Sequence, residues 1–183
     1  MRIPFVNRKK ELETLEQEYE KDFSFVILYG RRRVGKTRLI DEFTKDKRTL
    51  NFTVDEINDA DNIENFQSQL AKFIGKPYLE QVSFSKWQDA FAQLREVKGK
   101  FTLVIDEFPY LIKANKSFPY IFQKIIDKQL RDQEVNVIVS GSSMSLMSDK
   151  VLAHKSPLYG RRTAQLRLDP LEFKHMTKFF PKY

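Results

Sequence analysis

The sequence FVILYGRRRVGKTRLI, residues 25–40, joins an apolar run to a glycine-rich octapeptide. The octapeptide, residues 30–37, fits the phosphate-loop pattern G-x-x-x-x-G-K-[ST] at every defined position. The run before it is continuous and apolar, as in a buried strand, and residues 38–43 after it are typical of a helix. Anions bound by the loop would therefore lie at the positive N-terminus of that helix. The stretch predicts a nucleotide-binding protein.

Each part of this loop suits one part of a nucleoside triphosphate. Gly30 and Gly35 permit a tight turn whose backbone N–H groups converge on phosphate oxygens. Lys36 supplies a cation for the β and γ phosphates, and Thr37 supplies a hydroxyl for Mg²⁺. We therefore predict nucleotide contacts from the loop and the arginine after it: Gly30, Arg31, Arg32, Arg33, Val34, Gly35, Lys36, Thr37 and Arg38.

The composition is that of one globular domain. The chain has 183 residues, 41% hydrophobic and 31% charged, without a tract or repeat that would mark a linker. Its 32 Lys and Arg against 25 Asp and Glu give a net charge of +7, which suits an anionic partner such as nucleotide, nucleic acid or acidic lipid. A solvated basic surface explains the excess equally well, so the charge alone does not establish DNA binding.

Several classes of protein are excluded by what the sequence lacks. It contains no Cys, which excludes disulfides, thiolate metal sites and a cysteine nucleophile. The beginning of the chain lacks the apolar stretch of a signal peptide, and no run is long enough to span a membrane. We therefore expect a cytoplasmic protein without a membrane partner.

Apolar periodicity predicts alternating strands and helices. Asn7 can cap a helix over residues 8–20, and Gly75 and Gly99 fall where two later helices should end. Strands are expected at residues 23–29, 50–54, 103–105, 137–139 and 164–168, and further helices near residues 63–74, 87–94 and 118–130. The run at 50–54 alternates with polar residues, which indicates a sheet edge, whereas the continuous runs indicate central strands. The order predicts an α/β, three-layer P-loop NTPase fold around a parallel five-stranded sheet.

The segment FTLVIDE, residues 101–107, is an apolar strand that ends in two acids. This is the pattern of a Walker B segment, in which Asp106 would hold Mg²⁺ opposite Thr37 and Glu107 would polarise the attacking water. Two acids that merely begin a loop would give the same sequence. Because a strand and two helices intervene between the two motifs, we predict an additional strand between the phosphate-loop and Walker B strands. The additional strand and Glu107 together indicate the branch of P-loop proteins that has a catalytic glutamate.

Two further segments hold candidate catalytic residues. Ser142 and, second, Ser140 follow an apolar strand beside the expected γ-phosphate, where a hydroxyl could sense it, although both residues also suit an ordinary turn. Arg161 and Arg162 precede the last strand, and adjacent arginines can stabilise transition-state charge on a phosphate. The start of a parallel strand lies opposite the phosphates, so these arginines would more easily reach another subunit's nucleotide. A solvated or acid-paired role is the alternative.

An ordered set of segments extends over nearly the whole chain: FVNRKKEL at 5–12, GRRRVGKT at 30–37, VIDEFPYL at 104–111, VSGS at 139–142, and GRR at 160–162 before LDPL at 168–171. This set resembles the archaeal ATPase family, in the STAND branch of the AAA+-like P-loop NTPases. The resemblance implies ATP as the nucleotide and implies base-side contacts from Asn7 and Arg8. Relatives in that family usually continue into a helical lid and a winged-helix domain, so the resemblance implies an ATPase core.

The motifs and the resemblance together predict an ATP-binding, Mg²⁺-dependent ATPase core that acts as a nucleotide-controlled switch or motor module. Its predicted catalytic residues are Lys36, Glu107, Ser142, Arg161 and Arg162. One domain is expected over residues 1–183, with an adenine-side box and helix (1–22), a nucleotide-binding core (23–169) and a connecting segment (170–183). The alternatives are a small-molecule phosphotransferase, and a signalling or DNA-associated module that binds ATP with little turnover. A homo-oligomer and a nucleic-acid or protein partner fit the same sequence.

Overall fold

The computed structural model describes residues 8–171, which form a sheet between two layers of helices. Within these residues the strands are β1 (Phe23–Tyr29), β2 (Thr49–Thr53), β3 (Phe101–Asp106), β4 (Val135–Gly141) and β5 (Ala164–Arg167). The α-helices are α1 (Lys9–Tyr19), α2 (Lys36–Thr44), α3 (Asp59–Ile74), α4 (Trp87–Ala92), α5 (Pro109–Ala114), α6 (Phe118–Ile125) and α7 (Met144–Leu146). Short 3₁₀ segments lie at Pro77–Gln81, Gln93–Glu96 and Tyr159–Arg161, and π-helical segments at Ile126–Leu130 and Met147–Leu152.

The sheet is parallel throughout, in the order β2-β3-β4-β1-β5. The carboxyl ends of the strands therefore share one edge, where the segments after β1, β3 and β4 meet. This arrangement confirms the predicted five-stranded parallel sheet, with an additional strand between the phosphate-loop and Walker B strands. That strand is β4, which pairs Ile138 with Val26 of β1 and with Val104 of β3. The run at residues 50–54, from whose position in the chain the additional strand was inferred, is β2, and it lies at the sheet edge, beside β3, as its alternating pattern indicated.

The burial of each strand follows its place in the sheet. Every residue of β3 and β4 is buried, and only the two ends of β1 are partly exposed. In β2, at the edge, buried Leu50 and Phe52 alternate with exposed Asn51 and Thr53. A central parallel strand is covered by helices on both faces, whereas an edge strand is less enclosed. The continuous and alternating sequence runs therefore predicted correctly which strands are central.

Two hydrophobic clusters hold the sheet between the helix layers. Because side chains alternate along a strand, Phe25 belongs to one cluster and its neighbour Val26 to the other. The larger cluster is rich in aromatic rings from α3, α4 and α6, and the rings of Phe66 and Phe91 stack with centroids 4.6 Å apart. The smaller joins the sheet to α1 and α2, for example through Leu39. Burial of each large side chain contributes about 2 kcal/mol, so both layers stabilise the sheet edge that carries the motifs.

Several helix boundaries differ from the sequence predictions. The first helix begins at Lys9, and Arg8, with φ −139°, occupies its N-cap position. Asn7, the predicted capping residue, lies outside the described residues. The helix predicted at 118–130 changes to a π-helical segment at Ile126. Apolar spacing over a few residues is similar in α, 3₁₀ and π turns, so the sequence pattern did not separate them.

The glycines predicted to end two helices both have left-handed backbone. Gly75 caps α3 with φ 76°, as predicted. Gly99 has φ 74° but lies beyond the 3₁₀ segment that ends at Glu96. Among residues 8–171, none of the helices combines the length and apolar character needed to cross a membrane.

Candidate nucleotide-binding site

The loop at residues 30–35 connects β1 to α2 and passes close to the chain after β5. A Cβ atom on Gly30 would lie 2.3 Å from the carbonyl oxygen of Leu168, so a larger residue does not fit there. Gly35 occupies the N-cap of α2 with φ 95°, a conformation that glycine adopts without strain. The two motif glycines therefore serve different needs: Gly30 permits a close approach and Gly35 a left-handed turn.

The Lys36 side chain lies against the inner side of this loop. Lys36 is 7% exposed, and its Nζ donates hydrogen bonds to the carbonyl oxygens of Gly30 (2.9 Å) and Arg31 (3.0 Å). Burial lowers the pKa of Lys36, while the nearby Glu107 and Asp106 carboxylates act in the opposite direction. The loop backbone and the two acids therefore hold the ammonium group at the floor of the loop.

Thr37 and Asp106 meet although they lie 69 positions apart in the chain. Oγ1 of Thr37 donates a hydrogen bond to Oδ2 of Asp106 over 3.1 Å. The other carboxylate oxygen accepts hydrogen bonds from the Glu107 backbone N, at 3.0 Å, and from the Ser140 hydroxyl. A hydroxyl and a carboxylate oxygen are hard-oxygen ligands, the kind that Mg²⁺ prefers. The chemistry of this pair fits a magnesium ion.

Ser140 holds the Asp106 carboxylate rather than facing the pocket. It is fully buried in β4, its hydroxyl donates to Oδ1 of Asp106, and its carbonyl oxygen accepts from the Phe108 backbone N at 2.9 Å. The sequence named Ser140 only as the second candidate for sensing a phosphate. The signal for its actual contact was indirect: a single hydroxyl at the end of an apolar run, on a strand adjacent to the Walker B strand. Without knowledge of the strand order, that signal does not show which residue the hydroxyl contacts.

Glu107 and Ser142 are hydrogen-bonded to each other at the carboxyl ends of the strands. The Ser142 hydroxyl donates to Oε2 of Glu107 over 2.8 Å, and the Ser142 backbone N donates to the same oxygen over 3.3 Å. Glu107 has φ 56°, which is uncommon for a residue with a Cβ atom. The two residues that the sequence proposed as water activator and phosphate sensor therefore form one hydrogen-bonded unit.

A pocket of about 530 Å³ opens over these groups. Its walls come from the loop, the start of α2, the end of β3 and α5: Arg32, Arg33, Gly35, Lys36, Thr37, Arg38, Glu107 and Tyr110. Tyr110 was not predicted as a site residue, yet its hydroxyl accepts a hydrogen bond from Nη2 of Arg32 at 2.9 Å. The pocket therefore combines predicted basic residues of the loop with the acid that follows β3 and with one aromatic residue that the motifs did not indicate.

Arg8 joins the beginning of α1 to the phosphate loop. Its guanidinium donates to Oε1 of Glu11 (2.9 Å) and to the carbonyl oxygens of Val34 (3.1 Å) and Asp169 (2.6 Å). These bonds fix Arg8 beside the loop, while Asn7, its predicted companion at the base, lies outside the described residues. A base-side role for the two residues stays a prediction.

Arg161 and Arg162 lie away from the pocket and contact their own chain. Nε and Nη2 of Arg161 donate to the carboxylate of Asp127, with a shortest distance of 2.7 Å, and Nη1 donates to the carbonyl oxygen of Pro157. The guanidinium of Arg162 lies 4.1 Å from the centroid of the Tyr159 ring. A role in another subunit's site stays a prediction, and it would require Arg161 to break its four hydrogen bonds to Asp127 and Pro157.

Nearly the whole chain also matches the sequence model of a known protein family. The model of a family described as an ATPase domain predominantly from Archaea matches residues 5–183. The chain belongs to this archaeal ATPase family. It is also 38% identical, over 179 residues, to an uncharacterized protein of Methanocaldococcus jannaschii, an alignment that covers 97% of this chain and 38% of that protein. The archaeal ATPase chain thus spans well under half the length of this relative.

Two solved structures resemble the archaeal ATPase chain in fold. A Walker-type ATPase of Pyrococcus abyssi superposes with a TM-score of 0.74 at 24% identity, over 97% of this chain and 57% of that one. The ORC2 protein of Aeropyrum pernix, solved as ADPNP-ADP complexes, gives a TM-score of 0.66 at 16% identity, over 90% and 48% of the two chains. At these identities the likeness supports the fold alone, and it confirms the predicted P-loop ATPase architecture.

Proposed function

We propose that this chain is an ATP-binding, Mg²⁺-dependent ATPase core that acts as a nucleotide-controlled switch or motor module. The observation that carries the proposal is the hydrogen bond between Thr37 and Asp106. It brings the phosphate-loop hydroxyl to the Walker B carboxylate, beside a pocket lined by basic side chains: Arg32, Arg33, Lys36 and Arg38. This combination suits a polyanion that carries a divalent cation. Membership of the archaeal ATPase family supports the same function.

The binding roles follow from the position of each group. Lys36 and the backbone N–H groups of residues 30–35 hold the β and γ phosphates, and Thr37 and Asp106 hold Mg²⁺. When bound there, Mg²⁺ would neutralise charge on the phosphate oxygens and orient them. On the base side we propose Asn7 and Arg8; the hydrogen bond from Arg8 to the Val34 carbonyl oxygen, in the loop, supports the second.

Glu107 is the proposed acceptor of the proton of the attacking water. The water oxygen forms a bond to the γ-phosphorus, and the bond between that phosphorus and the β,γ-bridging oxygen breaks. The electron pair of the broken bond leaves on ADP, and the proton held by Glu107 afterwards passes to solvent. The place of Glu107 in the pocket wall, together with Lys36 and Thr37, supports this role.

The bond between Ser142 and Glu107 provides a physical basis for a switch. The Ser142 hydroxyl has one hydrogen, and it donates that hydrogen to Glu107. A γ-phosphate oxygen that accepted the same hydrogen would take it away from the Glu107 carboxylate. Ser142 would then sense the phosphate and release the carboxylate for the attacking water in a single change of partner.

The same contact favours one alternative, a module that binds ATP with little turnover. While the Ser142 hydroxyl and backbone N both bond to Oε2 of Glu107, that oxygen is directed toward the end of β4. A carboxylate held in this way is a poor acceptor for a water proton. ATP binding would then occur without rapid hydrolysis until the contact opens.

Binding and turnover can be tested separately on the whole chain. A fluorescent ATP analogue, titrated with Mg²⁺, should bind the wild type and should bind Lys36→Ala about tenfold or more weakly, because a charged hydrogen-bond donor is lost. Unchanged affinity in a folded Lys36→Ala protein would contradict the assignment of the loop. Phosphate release would then measure turnover: binding without release supports the low-turnover module, and transfer to a small-molecule acceptor supports a phosphotransferase.

We further propose that residues 1–183 form one ATPase unit of the STAND branch, which assembles with copies of itself or with a partner. The family match over residues 5–183 supports a single unit, and the net charge of +7 supports an anionic partner such as nucleic acid. Sedimentation of the protein with and without ATP, and with and without a DNA duplex, tests both kinds of assembly.

A further inference from the structure

Arg32 reaches across the pocket from the phosphate loop to α5. Its Nη2 donates a hydrogen bond to the Tyr110 hydroxyl over 2.9 Å, and both residues line the pocket beside Lys36 and Glu107. Within residues 8–171, no carboxylate oxygen lies within 4 Å of the Arg32 guanidinium nitrogens. A tyrosine hydroxyl is not an ion-pair partner, so this contact orients the guanidinium in the pocket wall without pairing its positive charge.

Arg32 and Lys36 both carry a positive charge and line the same pocket. An anion that enters the pocket can therefore contact both cations. Glu107 lines the same pocket but is bonded to Ser142. The pair of cations is therefore suited to a multiply charged group such as a phosphate.

Arg161 and Arg162, the arginines that the sequence singled out, are placed differently. Arg161 is bonded through three of its nitrogens to Asp127 and Pro157, and Arg162 donates to the carbonyl oxygen of Leu152 while lying over the Tyr159 ring. Arg32, by contrast, lines the pocket and forms no ion pair among the described residues that it would have to break.

We propose that Arg32 is a catalytic residue that acts within its own chain, where its guanidinium binds the γ-phosphoryl oxygens as ATP is hydrolysed, and that Tyr110 is its positioning residue. This inference rests on the ATPase function proposed above. As water attacks the γ-phosphorus and the electron pair of the broken bond moves to ADP, negative charge redistributes over the transferred group and the leaving oxygen. A planar guanidinium can donate two parallel hydrogen bonds to such oxygens, which an ammonium cannot match.

Tyr110 is well held for the role of orienting Arg32. It lies in the first turn of α5, where its backbone N donates to the carbonyl oxygen of Glu107 over 2.9 Å. The Lys113 ammonium lies 5.1 Å from the centroid of its ring, and Lys113 in turn pairs with Glu56 at 2.6 Å. Tyr110 is therefore held by the backbone of Glu107 and contacted by Lys113, on the same helix turn from which its hydroxyl reaches Arg32.

The test compares ADP with ADP plus aluminium fluoride, which resembles the planar transferred phosphoryl group. Calorimetry with Mg²⁺ on the whole chain would measure both affinities for wild type, Arg32→Ala, Arg32→Lys and Tyr110→Phe. Arg95→Ala is the matched control, because Arg95 is an exposed arginine outside the pocket, and its guanidinium donates a hydrogen bond to the carbonyl oxygen of Lys128. We expect Arg32→Ala to bind ADP within about twofold of wild type and to bind the fluoride complex about 100-fold more weakly.

The conservative variants separate positioning from folding. Arg32→Lys keeps a charge without the planar fork, so its loss of affinity for the fluoride complex should be intermediate. Tyr110→Phe keeps the ring but loses the hydroxyl, so we expect its affinity to fall about three- to tenfold, for the fluoride complex only. Equal weakening of ADP and of the fluoride complex in Arg32→Ala would overturn the proposal, as would a wild-type affinity for the complex in that variant. If wild type bound neither ADP nor ATP, the proposed ATPase function itself would be contradicted, and this result differs from the two that contradict only the role of Arg32.

Discussion

At the scale of single residues, backbone strain is concentrated at the candidate site. Within residues 8–171, the non-glycine residues with positive φ are Arg33 (66°) and Glu107 (56°), and both line the pocket. Such a conformation costs a residue with a Cβ atom about 1–2 kcal/mol, and it persists only where the surroundings impose it. For Glu107 the surroundings are the Asp106 carboxylate, which accepts its backbone N–H, and Ser142, which holds its side chain.

Replacing Glu107 by Gly and by Ala separates strain from chemistry. Both changes remove the carboxylate, but only alanine keeps the Cβ atom that makes φ 56° unfavourable. We expect Glu107→Gly to have a free energy of unfolding about 1 kcal/mol higher than that of Glu107→Ala. Urea denaturation monitored by circular dichroism measures the difference. A more stable alanine variant would show that the backbone at this position is relaxed.

At the scale of elements, the phosphate loop depends on a tight contact between the end of β1 and the chain after β5. Leu168 donates its backbone N to the carbonyl oxygen of Tyr29 at 2.8 Å, and its own carbonyl oxygen faces Gly30. The first motif glycine is therefore required by the packing of two chain segments, apart from any phosphate. This requirement can be tested without nucleotide.

We predict that Gly30→Ala lowers the free energy of unfolding by at least about 2 kcal/mol, because its Cβ would lie 2.3 Å from a backbone oxygen that cannot rotate away. Gly160→Ala is the matched control, since a Cβ there meets no atom within 4 Å and its φ is not positive. It should change stability by less than about 0.5 kcal/mol. Equal stabilities for the two variants, measured by urea denaturation, would contradict the contact with Leu168.

The ion pair of Arg161 and Asp127 joins the 3₁₀ segment before β5 to the π-helical segment after α6. Its hydrogen bonds with Arg161 lower the pKa of Asp127 below its ordinary value of 3.8. A carboxylate with a lowered pKa in the folded state stabilises the fold above its unfolded pKa, and that contribution is lost as the pH falls through the lowered pKa. In a double-mutant cycle of Arg161→Ala and Asp127→Ala, we expect a coupling of about 1 kcal/mol at pH 7.

That coupling should shrink as the pH falls below 4, and a cycle of unfolding measurements at several pH values would show it. Lys45→Ala with Glu42→Ala is a useful control pair, because both groups are surface residues of one helix end and form an exposed ion pair. If the cycle gave no coupling between Arg161 and Asp127 at pH 7, the ion pair would not oppose a role for Arg161 in another subunit's site.

The sequence predicted the elements better than it predicted the contacts between them. The continuous runs of β1, β3 and β4 identified the central strands. The local motifs predicted Thr37 opposite Asp106, and the two side chains form a hydrogen bond. The hydrogen bonds of Ser140 with Asp106 and of Arg32 with Tyr110 join residues 34 and 78 positions apart. Such pairs depend on strand order and on side-chain direction, and no local pattern encodes either of them.

At the scale of the whole molecule, the parallel sheet gathers the site at one edge. The loop after β1, the acids after β3 and the serine after β4 come from separate stretches of chain, and the two hydrophobic clusters hold these strands in register. A ligand that contacts all three stretches would link them directly. Binding should therefore stabilise the fold as a whole, beyond its effect on the loop.

We predict that ATP with Mg²⁺ raises the melting temperature, and that the increase requires both motifs. At a ligand concentration 100 times Kd, binding adds about 2.7 kcal/mol to the free energy of unfolding, which corresponds to roughly 5–10 °C for a domain of this size. Removal of Mg²⁺ with EDTA should abolish most of the increase in wild type, because Thr37 and Asp106 then lack the cation that links them to the phosphates. In Asp106→Asn, the amide is a weaker Mg²⁺ ligand than the carboxylate, so the shift with Mg²⁺ should fall to the value seen in EDTA. Scanning calorimetry would measure all four conditions, and an equal shift with and without Mg²⁺ in wild type would show that nucleotide binds without the proposed metal site.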